Sequence, residues 1–371
     1  MTQALLMYGD TDRSADMFHR LPLLLMDPFL LVEVDGRKIA VQSVIERERV
    51  LALGGVEVLD MTALGLDELL KAGHGWTQVG IEISARACRE LGIRSAVVPP
   101  DFWAAVADRL REDGIEVRVD ADFYERRRRV KTAHQVEGAR RAQAAADAAM
   151  GEAARRLREL PEGLSSESVR EAMQTVCRER GCTLDDDVIV AVNEQSSSGH
   201  ESGSGPIVEG DRVLIDIWPR DLVSRCYADM TRTFVAGGGE PDEELRRYWA
   251  LSLEALEAVK KAVRPGIRGR ELYDISCEVF EAAGIATQRT KEEGAILQDG
   301  YYHSLGHGVG LDVHEAPALG LSGEPLVAGD VIAVEPGCYR QGYGGCRLED
   351  LILVTEDGGE VLTDFPYELA P

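Results

Sequence analysis

Gly329-Asp-Val-Ile-Ala-Val-Glu335 decides the reading of this chain, because it occurs twice; its counterpart is Gly210-Asp-Arg-Val-Leu-Ile-Asp216. Each is Gly-Asp, four mostly apolar residues, then a carboxylate. A short apolar run bounded by a turn signal is the pattern of a buried strand. A second pair follows the first. Cys226-Tyr-Ala-Asp229 and Cys346-Arg-Leu-Glu349 each put a carboxylate three residues after a cysteine, at the head of an alternating strand. The helices ahead of these strands repeat too. Leu160-Pro-Glu-Gly163 precedes an amphipathic helix ending near Gly181, and Val263-Arg-Pro-Gly266 precedes another ending near Gly284. A longer helix comes before each, over 132–159 and about 242–262. Thr132 and Gln135 form a capping box at the start of the first. The unit is therefore helix, helix, and a strand pair with two carboxylates. A pseudo-twofold pairing of two such units brings Asp216, Asp229, Glu335 and Glu349 together.

Four converging carboxylates cannot all stay ionised without counter-charge, since like charges at close range raise one another's pKa. Two divalent cations balance them. Within the second repeat, between its helices and its strand pair, runs Tyr301-Tyr-His-Ser-Leu-Gly-His-Gly-Val-Gly-Leu-Asp-Val-His-Glu315, which holds three of the seven histidines. Its glycines argue against a helix. In an extended chain His303 and His307 point the same way, and the glycines allow backbone or a ligand to come close. His307 then adds one neutral nitrogen ligand. A mostly oxygen set with one imidazole suits Mn²⁺ or Co²⁺ first, and Zn²⁺ or Fe²⁺ after them. Cys338 and Cys346 are expected only to pack.

The rest of the chain bounds the function. It has 371 residues, 44% hydrophobic and 29% charged, and a formal net charge of -24. The length suggests two domains. The acidity disfavours nucleic acid and anionic membranes as partners. Leu21 to Val32 is too short and too interrupted to span a bilayer. The start lacks the features of a signal peptide, and seven cysteines leave no paired framework; a cytoplasmic setting is expected. Residues 1–125 read as a small α/β domain with a hairpin at Asp35-Gly36 and strands at 96–98 and 115–119. Asp101 is expected to cap the helix between them, and Gly114 to end it. His19 and His74 are isolated and read as structural or surface residues. Glu125-Arg-Arg-Arg-Arg-Val-Lys131 marks the junction; it reads first as a solvated face, with pairing to acids across the boundary as the other reading.

With these motifs in order, residues 126–371 resemble the pita-bread metallopeptidases of the creatinase/methionine aminopeptidase superfamily. The likeness is to the Xaa-Pro aminopeptidase and Xaa-Pro dipeptidase branch, whose members also carry a creatinase-like N-terminal domain. Asp216, Asp229-Met-Thr-Arg-Thr-Phe234, His303 to His314, Glu335-Pro-Gly337 and Arg347-Leu-Glu-Asp350 carry it. The resemblance implies an α/β N-terminal domain (1–125) and an α+β pita-bread catalytic domain (126–371) with an internal pseudo-twofold repeat. It implies that Asp229 and Glu349 bridge two metals, that Asp216 chelates one, and that His307 and Glu335 hold the other. Glu335 would be the general base. His200 and His314 would bind substrate and its developing oxyanion, His303 would line the proline pocket, and Arg347 would hold a ligand carboxylate. A short peptide substrate and a homodimer or homotetramer are implied as well.

One segment departs from the pattern. After Asp216 the run is Ile217-Trp218-Pro219-Arg220-Asp221, where the family has a small residue and Gly, and the connection to Asp229 is two residues longer than in aminopeptidase P. This leaves open a hydrolase or lyase of a small non-peptide metabolite on the same fold. A binding module that has lost its chemistry would show eroded ligands, and none is seen.

Overall fold

The computed structural model describes residues 3–371, and the chain divides between Arg128 and Arg129 into two compact units. The first unit is built on a mixed six-stranded sheet. Its elements run β1 (Ala4–Gly9), α1 (Ala15–Arg20), β2 (Phe29–Val34), β3 (Arg37–Gln42), α2 (Val44–Leu51), β4 (Glu57–Asp60), α3 (Leu66–Lys71), α4 (Trp76–Glu90), β5 (Ser95–Val98), α5 (Ala104–Glu112), β6 (Glu116–Val119) and α6 (Ala121–Arg129). The strand order is β4-β3-β2-β1-β5-β6. Strand periodicity of two sends Leu6 and Tyr8 into a core with Val79, Ile83 and Val106, and sends Met7 to the opposite face with Met17, Leu21 and Tyr124. The β2–β3 turn has positive φ at Asp35 and Gly36, as a two-residue hairpin requires.

Asp101 does not cap α5. The helix starts three residues later, its N-cap is Trp103 without a side-chain bond, and the Asp101 carboxylate accepts instead from Ser14 Oγ at 2.9 Å. Gly114 does end it, with φ +79° and Ile115 N–H donating back to Leu110.

The second unit begins with α7 (Ala133–Glu159), whose N-terminus carries the Thr132/Gln135 capping box. It continues through α8 (Ser166–Glu179), β7 (Cys182–Thr183), β8 (Ile189–Val192), β9 (Arg212–Ile217), β10 (Arg220–Asp221), β11 (Met230–Val235), α9 (Glu243–Ala262), α10 (Gly269–Ala282), β12 (Gly306–Gly308), β13 (Glu315–Leu319), β14 (Val331–Val334), β15 (Gly337–Arg340), β16 (Gly344–Arg347), β17 (Asp350–Val354) and β18 (Gly359–Val361). Two antiparallel sheets, β11-β9-β8 and β13-β12-β14-β17-β18, carry the repeat. The Ala face of α7, from Ala142 to Ala153, is fully buried, and its small side chains let α8 and both sheets approach closely. The second helix pair, α9 and α10, covers the other side, with Leu256, Val259 and Phe280 in one core with Ile332 of β14 and Ile352 of β17. This is the pita-bread fold with its pseudo-twofold repeat.

The junction run is not a solvated face. Arg127 pairs with Glu33 at 2.7 Å and Arg128 with Asp16 at 2.8 Å, both within the first unit. Arg129 pairs with Glu324 and Asp330, and Lys131 with Glu315, each at 2.6 Å within the second. Arg128, Arg129 and Lys131 are buried. A buried cation needs a partner, and each unit supplies acids for the cations that belong to it.

Candidate metal centre

Strand pairing assembles the carboxylates. Asp216 near the end of β9 lies opposite Thr231 of β11, two residues after Asp229. In the second half β14 pairs with β17, with Val334 opposite Asp350, so Glu335 and Glu349 lie just beyond the paired ends. The Glu349 N–H donates to the Thr231 carbonyl, which joins the two halves. Asp216, Asp229 and Glu349 are all buried.

His307 reaches the same place from β12. The strand is wedged between β13 and β14, and glycines on both sides of His307 make this feasible. A Cβ at Gly306 would meet the Ala333 oxygen at 2.0 Å, and one at Gly308 the Ala316 oxygen at 2.3 Å. His307 Nδ1 donates to the Gly308 carbonyl at 3.1 Å, which leaves Nε2 as the lone-pair nitrogen. Nε2 lies 3.6 Å from Asp229 Oδ2 and 3.8 Å from Glu335 Oε1, too far for hydrogen bonds. Asp229, His307 and Glu349 each offer a ligand atom within 4.8 Å of the others.

The electrostatics are those of a cation site. Burial, then Glu349, Asp216 and Glu335, push the Asp229 carboxyl far above its usual range. Burial and the neighbouring acids do the same to Glu349, and burial first of all raises Glu335 to about 8. Burial lowers His307 to about 4, so it is neutral and able to ligate. One buried Asp216 oxygen, Oδ1, has no hydrogen-bond partner. Crowded buried carboxyls, a neutral imidazole and an orphaned oxygen form a donor set that fits divalent cations.

Arg347 supports this set. It bonds Asp216 Oδ2 at 2.6 Å, Thr231 Oγ1 at 3.2 Å and the Tyr339 hydroxyl at 2.9 Å. Thr231 in turn donates to Glu349 Oε2 at 2.7 Å. His303 does not share a strand with His307, since only Gly306–Gly308 is extended there. Its Nδ1 donates to the Ser304 carbonyl, and Nε2 accepts from Tyr339 OH at 3.0 Å. Burial first, then Arg347, lowers it to about 3, so it is neutral. His314 stacks obliquely on His307 with ring centroids 4.2 Å apart. His200 is exposed on its loop, and burial first, then nearby His200, lowers His314. Cys338 and Cys346 face each other across the β15–β16 hairpin, buried, with both thiols pushed up to about 12 by burial.

Thr231 and Tyr339 were missed as site residues. Thr231 was legible, because it shares the strand face of Asp229 by the period of two. Tyr339 carried no such signal.

The model of metallopeptidase family M24 matches residues 137–356. The chain belongs to that family. Among curated proteins it is 33% identical over 243 residues to the Xaa-Pro dipeptidase of Pyrococcus furiosus, covering 65% of this chain and 64% of that protein. It is 35% identical over 185 residues to the Xaa-Pro dipeptidase of Pyrococcus horikoshii, covering 49% and 48%. The matched stretch thus spans under two thirds of each relative. Solved structures superpose over the whole chain. The Xaa-Pro dipeptidase from Bacillus anthracis does so at TM-score 0.81 and 25% identity, covering 99% of this chain and 94% of that one. The X-Pro aminopeptidase from Thermotoga maritima gives 0.79 and 22%, covering 99% and 97%.

In this member of family M24 the segment after Asp216 is tied down. Arg220 and Asp221 pair with β7, and the Asp221 carboxylate takes both nitrogens of Arg141 on α7 at 2.9 and 2.8 Å and the Ser224 hydroxyl at 2.7 Å. Trp218 packs against the core, and Arg220 lies over the Tyr227 ring at 5.5 Å. Among the described residues no helix is long and apolar enough to cross a membrane.

Proposed function

We propose that the chain hydrolyses the bond between an N-terminal residue and proline in short peptides, using two divalent cations, Mn²⁺ first among them. The observation that carries this is the clustering of Asp229, Glu349 and His307, with Asp216 and Glu335 close enough to raise the carboxyls of both acids. The 33% identity to a Xaa-Pro dipeptidase supports the substrate class.

The cations, when bound, supply charge stabilisation and a water acidic enough to ionise near neutral pH. Asp229 and Glu349 would be shared between the ions, Asp216 would hold one of them, and His307 and Glu335 would hold the other. Glu335 takes the proton of the attacking water and returns it to the departing proline nitrogen. Neutral His303 and the exposed His200 and His314 line the approach. Proline gives a tertiary amide with no N–H, so the site needs no acceptor there. His314 and His200 hydrogen-bond the carbonyl oxygen as charge develops on it. Arg347 holds Asp216 in its ligating rotamer, with Tyr339 fixing the guanidinium from behind. Seven buried free thiols support a reducing, cytoplasmic setting, and a homodimer or homotetramer is the proposed assembly.

The test is a panel of X-Pro and X-Ala peptides of two to four residues, with Mn²⁺, read by mass spectrometry. X-Pro should be favoured by roughly 10–200-fold per lost methylene-sized contact. No cleavage of any X-Pro peptide in the presence of cation would favour the small-metabolite hydrolase.

A further inference from the structure

We propose that Lys131, through Glu315, is a positioning residue for His314. The inference rests on His314 facing substrate in the reaction above. Glu315 immediately follows His314, and its carboxylate meets Lys131 Nζ at 2.6 Å with both side chains almost fully buried, 2% and 3% exposed. Lys131 is itself held on two sides: its N–H donates to the Gly329 carbonyl at 3.0 Å and its Nζ to the Arg129 carbonyl at 3.1 Å. The ammonium is thus a fixed point, not a mobile surface charge.

The loop from Val309 to Glu315 is folded around that fixed point. Glu315 fills the space over Gly310 so closely that a Cβ there would lie 2.4 Å from Oε1. The Gly310 N–H donates to Asp312 O, and the Gly310 carbonyl accepts from Tyr227, two residues before Asp229. His314 lies between Asp312 and Glu315; its exposed imidazole stacks on His307, lies near Asp216 and His200, and takes no side-chain hydrogen bond among the described residues. Its orientation is therefore set by its backbone, and Glu315 anchors that backbone. His307 has separate support on its other edge, where β12 pairs with β14 from Gly306 to Gly308. Losing the pair should release His314 and leave the cation ligands in place.

The experiment separates positioning from bulk stability. Lys131→Met removes the buried cation that faces the Glu315 carboxylate and should lower the melting temperature as well as activity. Lys131→Met with Glu315→Gln removes both charges and should return the melting temperature towards wild type. If the pair positions His314, kcat/KM on an X-Pro tripeptide stays at least tenfold down in this double variant. Metal content by elemental analysis should stay at the wild-type level. In a His314→Ala background the double change should cost less than threefold more, because residues acting as one unit are not additive. Recovery of kcat/KM together with stability, full additivity with His314→Ala, or loss of metal in the double variant would each overturn the proposal. A His314→Ala enzyme as active as wild type would overturn it too. That outcome removes the role of His314, whereas failure of the wild-type enzyme on every X-Pro peptide removes the reaction itself.

Discussion

The two halves of the repeat make the same structure and different chemistry. In the first half β9 and β11 hold Asp216 and Asp229; in the second β14 and β17 flank Glu335 and Glu349. Each half adds a third strand on the same edge, β8 against β9 and β12 against β14. Leu214 of β9 faces Ala191, and its counterpart in the second half, Ala333, faces His307. Ala191 is fully buried in an apolar cluster with Leu214 and Tyr339. The symmetry thus delivers four carboxylates, and a single imidazole breaks it. The acids differ as well, since the first half uses Asp and the second Glu. The lesson is that matched backbone registers can collect equal charge while the side chains make the two halves of the site unequal.

The sharpest way to break this comparison is to neutralise counterparts. Glu335→Gln should keep bound metal and lower kcat by roughly 10²–10⁴-fold, since the amide cannot accept the proton. Asp216→Asn, at the equivalent strand position, should lower metal content first. Stopped-time assays with elemental analysis of both variants decide it; equal kcat losses at full metal content would make the halves chemically interchangeable. Next in size, His307→Ala should release one of the proposed cations preferentially. Isothermal titration with Mn²⁺ should then show one weakened site, and two sites weakened equally would remove the asymmetry.

Arg347→Lys sharpens the comparison on the Asp216 side. A lysine cannot bond Asp216, Thr231 and Tyr339 together, so metal affinity or turnover should fall about 10–100-fold. An unchanged titration and kcat would make the guanidinium network irrelevant to the site.

The smallest effect is on stability against pH, measured by thermal unfolding with and without chelator. Glu335 is raised from 4.5 to about 8, so its contribution to folding is full below about 4.5 and lost as pH rises through about 8. Asp229 and Glu349 act in the same direction. His307 and His303 are lowered from 6.5 to about 4 and about 3, so their contribution holds above about 6.5 and falls away in acid. Cations replace the protons on the carboxyls. The rise in melting temperature on adding Mn²⁺ should therefore grow from pH 5 to pH 8, and a constant rise would mean the cation binds elsewhere.

The sequence by itself determined the repeat, the helix–helix–strand-pair unit, the candidate ligand residues and the long capped helix α7. These follow from local pattern: apolar runs ended by carboxylates, glycine punctuation, and the Thr132/Gln135 box. Thr231 was within reach of the same period-two logic. The tertiary structure decided what local pattern cannot encode. Lys131 has the look of a solvated cation until a carboxylate 184 residues away closes over it. Asp101 has the look of a cap until Ser14 takes its oxygen. Tyr339 matters because a hairpin sets it between His303 and Arg347. For Lys131 and Asp101 the partner is distant along the chain, and at Lys131 burial makes that partner obligatory. Periodicity reports which face a residue takes; only packing decides what is waiting there.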